Sequence, residues 1–194
     1  MPSLLPTYHP RSDVVSSAGR AAHDIGAAAL LGGNLFARAA MHPALRAVDD
    51  PRDRGRVTNG AWRRYGVVNG LSLAAVLAGW GGARVQEARA GKLSDTERTL
   101  ARAKDAAVVA VAVTGVASAI EGIRFNRSEP DGAVPLSDGD TPAPEASERE
   151  TRLKRRLRLL GSMSLVADTA LVAINAALAQ RNFRRPPLRR LVRI

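Results

Sequence analysis

Residues 65–83 read YGVVNGLSLAAVLAGWGGA, nineteen residues in which the opening tyrosine is the only ionisable side chain. Three further runs, residues 25–40, 106–120 and 159–180, are apolar with at most one charge each. A run of about 20 apolar residues matches the hydrocarbon core of a bilayer, which is about 30 Å thick. The sequence therefore predicts an all-α protein, a four-helix transmembrane bundle with antiparallel up-down topology.

The four runs divide the chain into one membrane domain and two tails. Residues 1–20 and 181–194 are the tails, and residues 21–180 form the domain. The spans are expected at residues 21–41, 64–84, 105–123 and 159–180. The first span is expected to stop at Pro43, because a residue before proline is pushed out of helical geometry.

One connection differs in composition from the others. Residues 128–150 carry four prolines, seven acids and almost no large apolar side chains. Such a segment cannot bury enough apolar surface to offset the entropy lost on ordering. We therefore expect a disordered acidic loop here, followed by a basic surface helix at residues 151–158 (TRLKRRLR).

The charge balance is basic, +11 from 29 Lys+Arg and 18 Asp+Glu. The arginines flank the apolar runs in groups and do not form the single basic stripe that indicates nucleic-acid binding. The lipid bilayer is therefore the expected partner, and the arginine-rich tail is expected to bind anionic headgroups. Gly66-xxx-Gly70 allows close helix packing, so a membrane-protein partner or a homo-oligomer stays open.

Several kinds of chemistry are excluded or disfavoured by composition. The chain has no cysteine, which excludes disulfides, thiolate catalysis and iron–sulfur clusters. His23 and His42 lie at opposite ends of one predicted helix, so they cannot form a bis-histidine haem site. No phosphate-binding glycine loop is present. The first twenty residues lack a cationic start followed by an apolar core, so no cleavable signal peptide is expected there. No cofactor and no metal are expected.

The orientation in the membrane is nearly balanced. Fourteen Lys+Arg lie on the side of the two termini and fourteen on the side of the first and third loops. The positive-inside rule therefore does not decide. The acid-free C-terminal tail suits an anionic inner leaflet, so we expect a multi-pass protein of the cell membrane with cytoplasmic termini.

Aromatic residues mark the predicted ends of the second span. Trp62 and Tyr65 lie where it enters the membrane, and Trp80 lies near its exit. Such amphipathic rings favour the two membrane–water interfaces. His42, which precedes a proline at the end of the first span, is also expected at the interface.

Polar residues inside the spans form a candidate cluster. Asn34, Arg38 and His42 follow the spacing i, i+4, i+8 on one face of the first helix. The other helices contribute Asn69, Glu121 and Asp168. Charges in hydrocarbon are costly, so these groups should turn inward and pair. We expect an Arg38–Glu121 ion pair, with Asp168 reached through Asn34 or water.

This cluster has two interpretations. Polar groups that satisfy one another can fix how the helices pack, each contributing about 1 kcal/mol or less. Alternatively, they can line a buried cavity for a proton, an ion or a small polar ligand. The packing interpretation is preferred. Asp168 is the strongest candidate for function, because it lies deepest and has no cationic partner at its own level.

The first half of the chain resembles a known group of proteins. The motifs are GGNLF (residues 32–36), MHPAL (41–45) and WRRYG (62–66). They are loosely similar to small four-helix membrane proteins of the anthrone-oxygenase-like group. The resemblance covers about residues 25–70 and implies a four-helix architecture. It also implies a cofactor-independent oxygenase acting on a polyphenolic ring, although no catalytic residues can be matched on helices three and four.

The sequence thus predicts an integral membrane protein without identifying its chemistry. A non-enzymatic accessory or scaffold protein is the preferred function. The alternatives are a small membrane enzyme that uses the inward polar residues, or a small transporter-like protein. The last is disfavoured because four short spans leave only a narrow pathway.

Overall fold

The structure is a computed structural model that describes residues 10–90 and 95–183. Four long helices, numbered 1 to 4 in chain order, dominate it: Pro10–Phe36, Pro51–Ala90, Asp95–Asn126 and Glu148–Phe183. These ranges contain no β-strand. The predicted all-α class is confirmed. Residues 1–9 and 184–194, and with them most of the predicted basic tail, lie outside the described residues.

Helices 2 and 4 begin earlier than the predicted spans because capping residues start them. The Asp50 carboxylate accepts hydrogen bonds from the backbone N–H groups of Arg52 and Asp53, and Pro51 takes the first helical position. At helix 4, Ser147 and Glu150 form a reciprocal capping box. Both helices therefore extend well beyond an apolar span, and 40 residues of helix 2 measure about 60 Å.

Helix 1 ends differently from the prediction. Pro43 does not stop it; residues Ala37–Met41 widen into a π-helical turn, followed by a short α-helical turn at His42–Ala44 and a 3-10 turn at Leu45–Ala47. A proline lacks an N–H group and its ring crowds the carbonyl four residues earlier. The wider turn, closed by the His42 N–H on the Ala37 carbonyl, accommodates both effects.

The four helices pack as a ring of antiparallel neighbours. Helix 1 packs against helices 2 and 4, and helix 3 packs against the same two. Val76, Val108 and Leu171, from helices 2, 3 and 4, are almost fully buried in the shared apolar core. Helices 1 and 3 are therefore diagonal to each other.

Three of the four helices have the length and composition to cross a membrane. The segments are Pro51–Arg84, Arg98–Asn126 and Glu148–Arg181. Only 11–22% of the residues in their most apolar windows are buried by the protein, so large apolar side chains such as Leu71, Val113 and Val166 point outward. Helix 1 is not among the three, since His23, Asp24 and Asn34 interrupt its apolar run.

The first and third connections form a folded unit with the helix ends around them, here called the headpiece (residues 42–64 and 121–158). Its core contains Phe125, Val134, Leu136 and Leu153. The Leu136 N–H donates to the Pro51 carbonyl, which ties the third connection to helix 2. The expected disordered loop is therefore wrong for residues 128–150, because its few apolar side chains are the ones that become buried.

Candidate functional site

A line of polar contacts joins helices 1 and 4, here called the polar seam. Asn34 Nδ2 donates to Asp168 Oδ2 at 2.7 Å, and Asp168 is only 3% exposed. Nearer one end, Asn175 Nδ2 donates to Asp24 Oδ1 at 3.2 Å. The predicted contact between Asp168 and Asn34 is confirmed.

The expected Arg38–Glu121 ion pair is wrong. Arg38 donates instead to Ser162 Oγ at 2.8 Å and to the Arg158 carbonyl at 3.3 Å, both on helix 4. Glu121 pairs with Arg124 at 2.9 Å and with Arg156 at 3.8 Å. Arg38 lies at the end of helix 1 and Glu121 on helix 3, and these two helices are diagonal in the ring. The two residues are therefore not neighbours, although they were expected at a similar depth.

The remaining predicted residues take varied positions. Asn69 makes no side-chain hydrogen bond within the described chain. Tyr65 donates a hydrogen bond from its hydroxyl to the Ala29 carbonyl at 2.9 Å, so it joins helix 2 to helix 1.

The two tryptophans lie at opposite ends of the apolar part of helix 2. Trp80 Nε1 donates to Asp105 Oδ1 at 2.8 Å, beside the Arg84–Asp105 ion pair. Eighteen residues separate Trp62 from Trp80, about 27 Å along helix 2, and their placement at two membrane interfaces stays a prediction.

A second polar cluster lies inside the headpiece, around Gly139. The Gly139 N–H donates to the His42 carbonyl at 3.1 Å, and Lys154 Nζ donates to the Gly139 carbonyl at 2.6 Å. Lys154 is 5% exposed and its ammonium lies 5.4 Å from the centroid of the Phe125 ring. Gly139 of the third connection is thus hydrogen-bonded both to the end of helix 1 and to the start of helix 4.

His42 is buried in this cluster, and its expected position at the membrane–water interface stays a prediction. Neither ring nitrogen has a hydrogen-bond partner among the described residues, and Nδ1 lies 4.0 Å from Asp140. Burial lowers the pKa of His42 to about 4; the charge of Lys154 acts in the same direction and the charges of Asp140 and Asp138 oppose it. His42 is therefore a neutral imidazole at pH 7.

Asp138 fixes the turn of the third connection. Burial alone would raise the pKa of the Asp138 carboxyl, but hydrogen bonds from the N–H groups of Asp140 and Thr141 and from Arg46 hold it below its usual value. This carboxylate is therefore ionised at pH 7, and its hydrogen bonds hold the turn.

An apolar cleft of about 160 Å³ opens between helices 1 and 2 beside the π-helical turn. Its walls include Phe36, Met41, Trp62 and Tyr65. A Cβ at Gly33 would overlap the Tyr65 ring, so a larger residue there would have to displace that ring. Trp62 also packs against His42, with ring centroids 6.1 Å apart. The cleft is smaller than a typical ligand pocket of about 300 Å³ or more.

Sequence reasoning missed the headpiece residues Lys154, Asp138 and Asp140. Two signals could have found them. Lys154 is one of three lysines among 29 basic residues. Asp138-Gly139 is a dipeptide typical of an ordered turn.

The described residues contain no group of three or more His, Asp or Glu that could hold a metal ion. No model of a protein family, no curated protein and no solved structure matches this chain. The resemblance of residues 25–70 to the anthrone-oxygenase-like group stays a prediction.

Proposed function

We propose that this chain is a four-span integral membrane protein of the cell membrane that acts as an accessory or scaffold protein. The observation that carries the proposal is the distribution of apolar side chains. Helices 2, 3 and 4 direct most of their apolar surface outward, and exposed apolar surface of that size needs lipid or protein cover. Helix 1 completes the bundle because its polar side chains face helix 4.

The polar seam supports a structural role. Asn34, Arg38 and Asn175 each bond to a group on the neighbouring helix. The cleft and the small space beside Trp80 in the described chain are not polar channels through the bundle. Groups that satisfy one another fix helix register and leave no open polar path for a transporter.

Membrane insertion is tested by fractionation of the tagged protein. We expect retention in membranes through a carbonate wash and release by detergent. Release by carbonate alone would contradict the proposal and favour a basic soluble bundle.

The number of spans can be measured with single cysteines, since the natural chain has none. Cysteine at Ser17, at Thr96 and at Glu145 reports on the start of helix 1, the second connection and the headpiece; all three positions are exposed. Four spans place Ser17→Cys and Thr96→Cys on one side and Glu145→Cys on the other. With three spans, Ser17→Cys is labelled from the same side as Glu145→Cys. Labelling from the cytoplasmic side also tests the proposed location of the termini.

The scaffold role requires a partner, either another membrane protein or a second copy. Photocrosslinking residues at Leu71, Val113 and Val166, the most outward positions of helices 2, 3 and 4, test it in native membranes. We expect one of the three to give a discrete protein adduct while the others give lipid adducts. Lipid adducts at all three positions would contradict a scaffold.

The apolar cleft favours a second candidate, a small membrane oxygenase. Phe36, Met41, Trp62 and Tyr65 belong to the three motifs of the anthrone-oxygenase resemblance, and all four line the cleft. Conversion of an anthrone to the anthraquinone by purified protein, above the rate of autoxidation, tests this function. An Ala61→Leu variant that fills the cleft should abolish the excess rate, whereas Asp168→Asn, in the seam, should retain it.

A further inference from the structure

Five arginines of the headpiece have no ion pair and no side-chain hydrogen bond within the described chain. Arg149 lies between Glu148 and Glu150 at the start of helix 4; the other four are Arg63 and Arg64 on helix 2, Arg127 just after helix 3, and Arg155 on helix 4. All four are exposed. Most other headpiece arginines bond to a carboxylate or to a carbonyl, as Arg46 and Arg54 do. These four cations are therefore available to bind a ligand outside the described chain.

The four lie at one level of the bundle. Helices 2 and 3 are antiparallel and are matched by the Arg84–Asp105 ion pair, so twenty residues along each helix bring Arg64 to the level of Phe125. Phe125 in turn lies under the Lys154 ammonium of helix 4, next to Arg155. Arg127 is two residues beyond Phe125, about 3 Å further along the axis.

Acidic residues avoid this level. Residues 54–66, 122–128 and 151–158 contain no Asp or Glu. Glu121, the nearest acid, is already paired with Arg124 and Arg156. The other acids of the headpiece lie in residues 49–53 and 129–150; among them, Asp140 comes near the apolar run of helix 4, where it is paired with Arg158. These four unpaired cations therefore stand within about two helical turns of the ends of the apolar runs, where the proposed membrane would place its headgroups.

We propose that Arg63, Arg64, Arg127 and Arg155 form a belt that binds the phosphates of anionic phospholipids in the leaflet beside the headpiece. The proposal rests on the proposed membrane role. A guanidinium binds phosphate through two parallel hydrogen bonds and matches its planar geometry better than an ammonium does. This belt is separate from the C-terminal tail and lies at the opposite end of helix 4.

Binding of fluorescent phosphatidylglycerol to the detergent-purified full chain tests the belt. The variant R63Q/R64Q/R127Q/R155Q is expected to bind it about 600-fold more weakly, from about fivefold per arginine, with no change for phosphatidylcholine. The control R20Q/R98Q/R102Q removes three exposed arginines at the other end of the bundle, outside the C-terminal tail, and should leave the affinity unchanged. Replacing the belt by four lysines should restore only part of it.

Several results would overturn the belt. Equal losses in the belt and control variants would show non-specific attraction, and an unchanged affinity would show no site. Competition by inorganic phosphate or RNA at the concentration that phosphatidylglycerol requires would indicate a soluble ligand. If the fourfold variant does not fold, R63Q/R64Q alone is expected to lose about 20-fold. Release of the natural chain by carbonate would overturn the membrane role itself, whereas retention with unchanged lipid affinity would overturn only the belt.

Discussion

The polar seam and the headpiece are both held by buried polar groups, but they use different partners. In the seam, side chains on helices 1 and 4 bond mostly to each other, as Asn34 does to Asp168. In the headpiece, most bonds end on backbone atoms, as Lys154 does on the Gly139 carbonyl and Asn59 Nδ2 on the Gly132 carbonyl at 2.7 Å. The backbone N–H and C=O groups of a helix form hydrogen bonds with one another, whereas those of a connection need hydrogen bonds from side chains.

This difference predicts how each region responds to mutation. A seam contact is a single pair, so removing one partner affects one bond. In the headpiece, one side chain or one glycine holds several backbone groups in place. Headpiece substitutions should therefore cost more stability than seam substitutions, although the headpiece has the less regular structure.

The largest expected effect is at Gly55, where helix 2 meets the third connection. A Cβ at Gly55 would overlap the backbone carbonyl of Val134, so the connection must move away from helix 2. We expect Gly55→Ala to lower the free energy of unfolding by about 3–4 kcal/mol, the range of severe core changes. Hydrogen exchange at Val134 and Leu136 should rise with it.

Gly60→Ala is the matched control on the same helix. No atom lies within 4 Å of a Cβ at Gly60, and alanine favours a helix by about 1 kcal/mol over glycine. Gly60→Ala should therefore be neutral or stabilising. If both variants behave alike, close packing at Gly55 does not hold the headpiece together.

The next effect is a loss of headpiece stability in acid. The folded pKa of His42 is about 4, below its ordinary value of 6.5. The unfolded chain therefore takes up the proton first, and stability should fall between pH 6.5 and pH 4 by up to about 3 kcal/mol. Lys154 and Arg38 oppose the charge on His42, and Asp140 and Asp138 favour it. Above pH 6.5 His42 is neutral in both the folded and the unfolded chain, so it does not change the pH dependence of stability.

His42→Gln should remove this pH dependence, and the difference between the two proteins isolates His42 from other titrating groups. The lowered pKa of Asp138 affects stability in a lower pH range. Its contribution to the free energy of unfolding is present above its ordinary pKa of 3.8 and is lost only below that pH. Fluorescence of Trp62 in a Trp80→Phe background reports locally, since a protonated imidazole quenches a neighbouring indole. Parallel pH curves for the natural protein and His42→Gln would contradict the assignment.

The helices could be predicted from the sequence, but their neighbours could not. Long apolar runs identified the apolar parts of helices 2, 3 and 4, and the inward spacing of Asn34 on helix 1 found its contact with Asp168. Depth along a helix was not enough for Arg38 and Glu121. Four helices can close a ring in more than one order, and the order depends on close contacts, such as Gly33 against Tyr65, that the apolar pattern does not reveal.

The third connection shows a second limit. Its composition resembles a disordered segment, but disorder depends on what a segment can bury against, and not only on its own residues. Val134 and Leu136 are two apolar side chains among many polar ones, yet Phe125 and Leu153 from two long helices complete a core around them. The end of helix 3 and the start of helix 4, which extend beyond the apolar spans, provide that surface.

The smallest effect distinguishes a true seam from incidental contacts. A double-mutant cycle of Asn34→Ala and Asp168→Ala should give a coupling energy of about 1 kcal/mol, the usual range for interhelical hydrogen bonds in membranes. The cycle of Asn69→Ala with Asp168→Ala is the control, because Asn69 makes no side-chain hydrogen bond in the described part of the chain, and it should give a value near zero. If the coupling energy for Asn34 is as small as that for Asn69, the bundle is held by apolar packing alone. The two regions would then differ in whether polar groups stabilise them at all, and not in whether those groups bond to side chains or to backbone atoms.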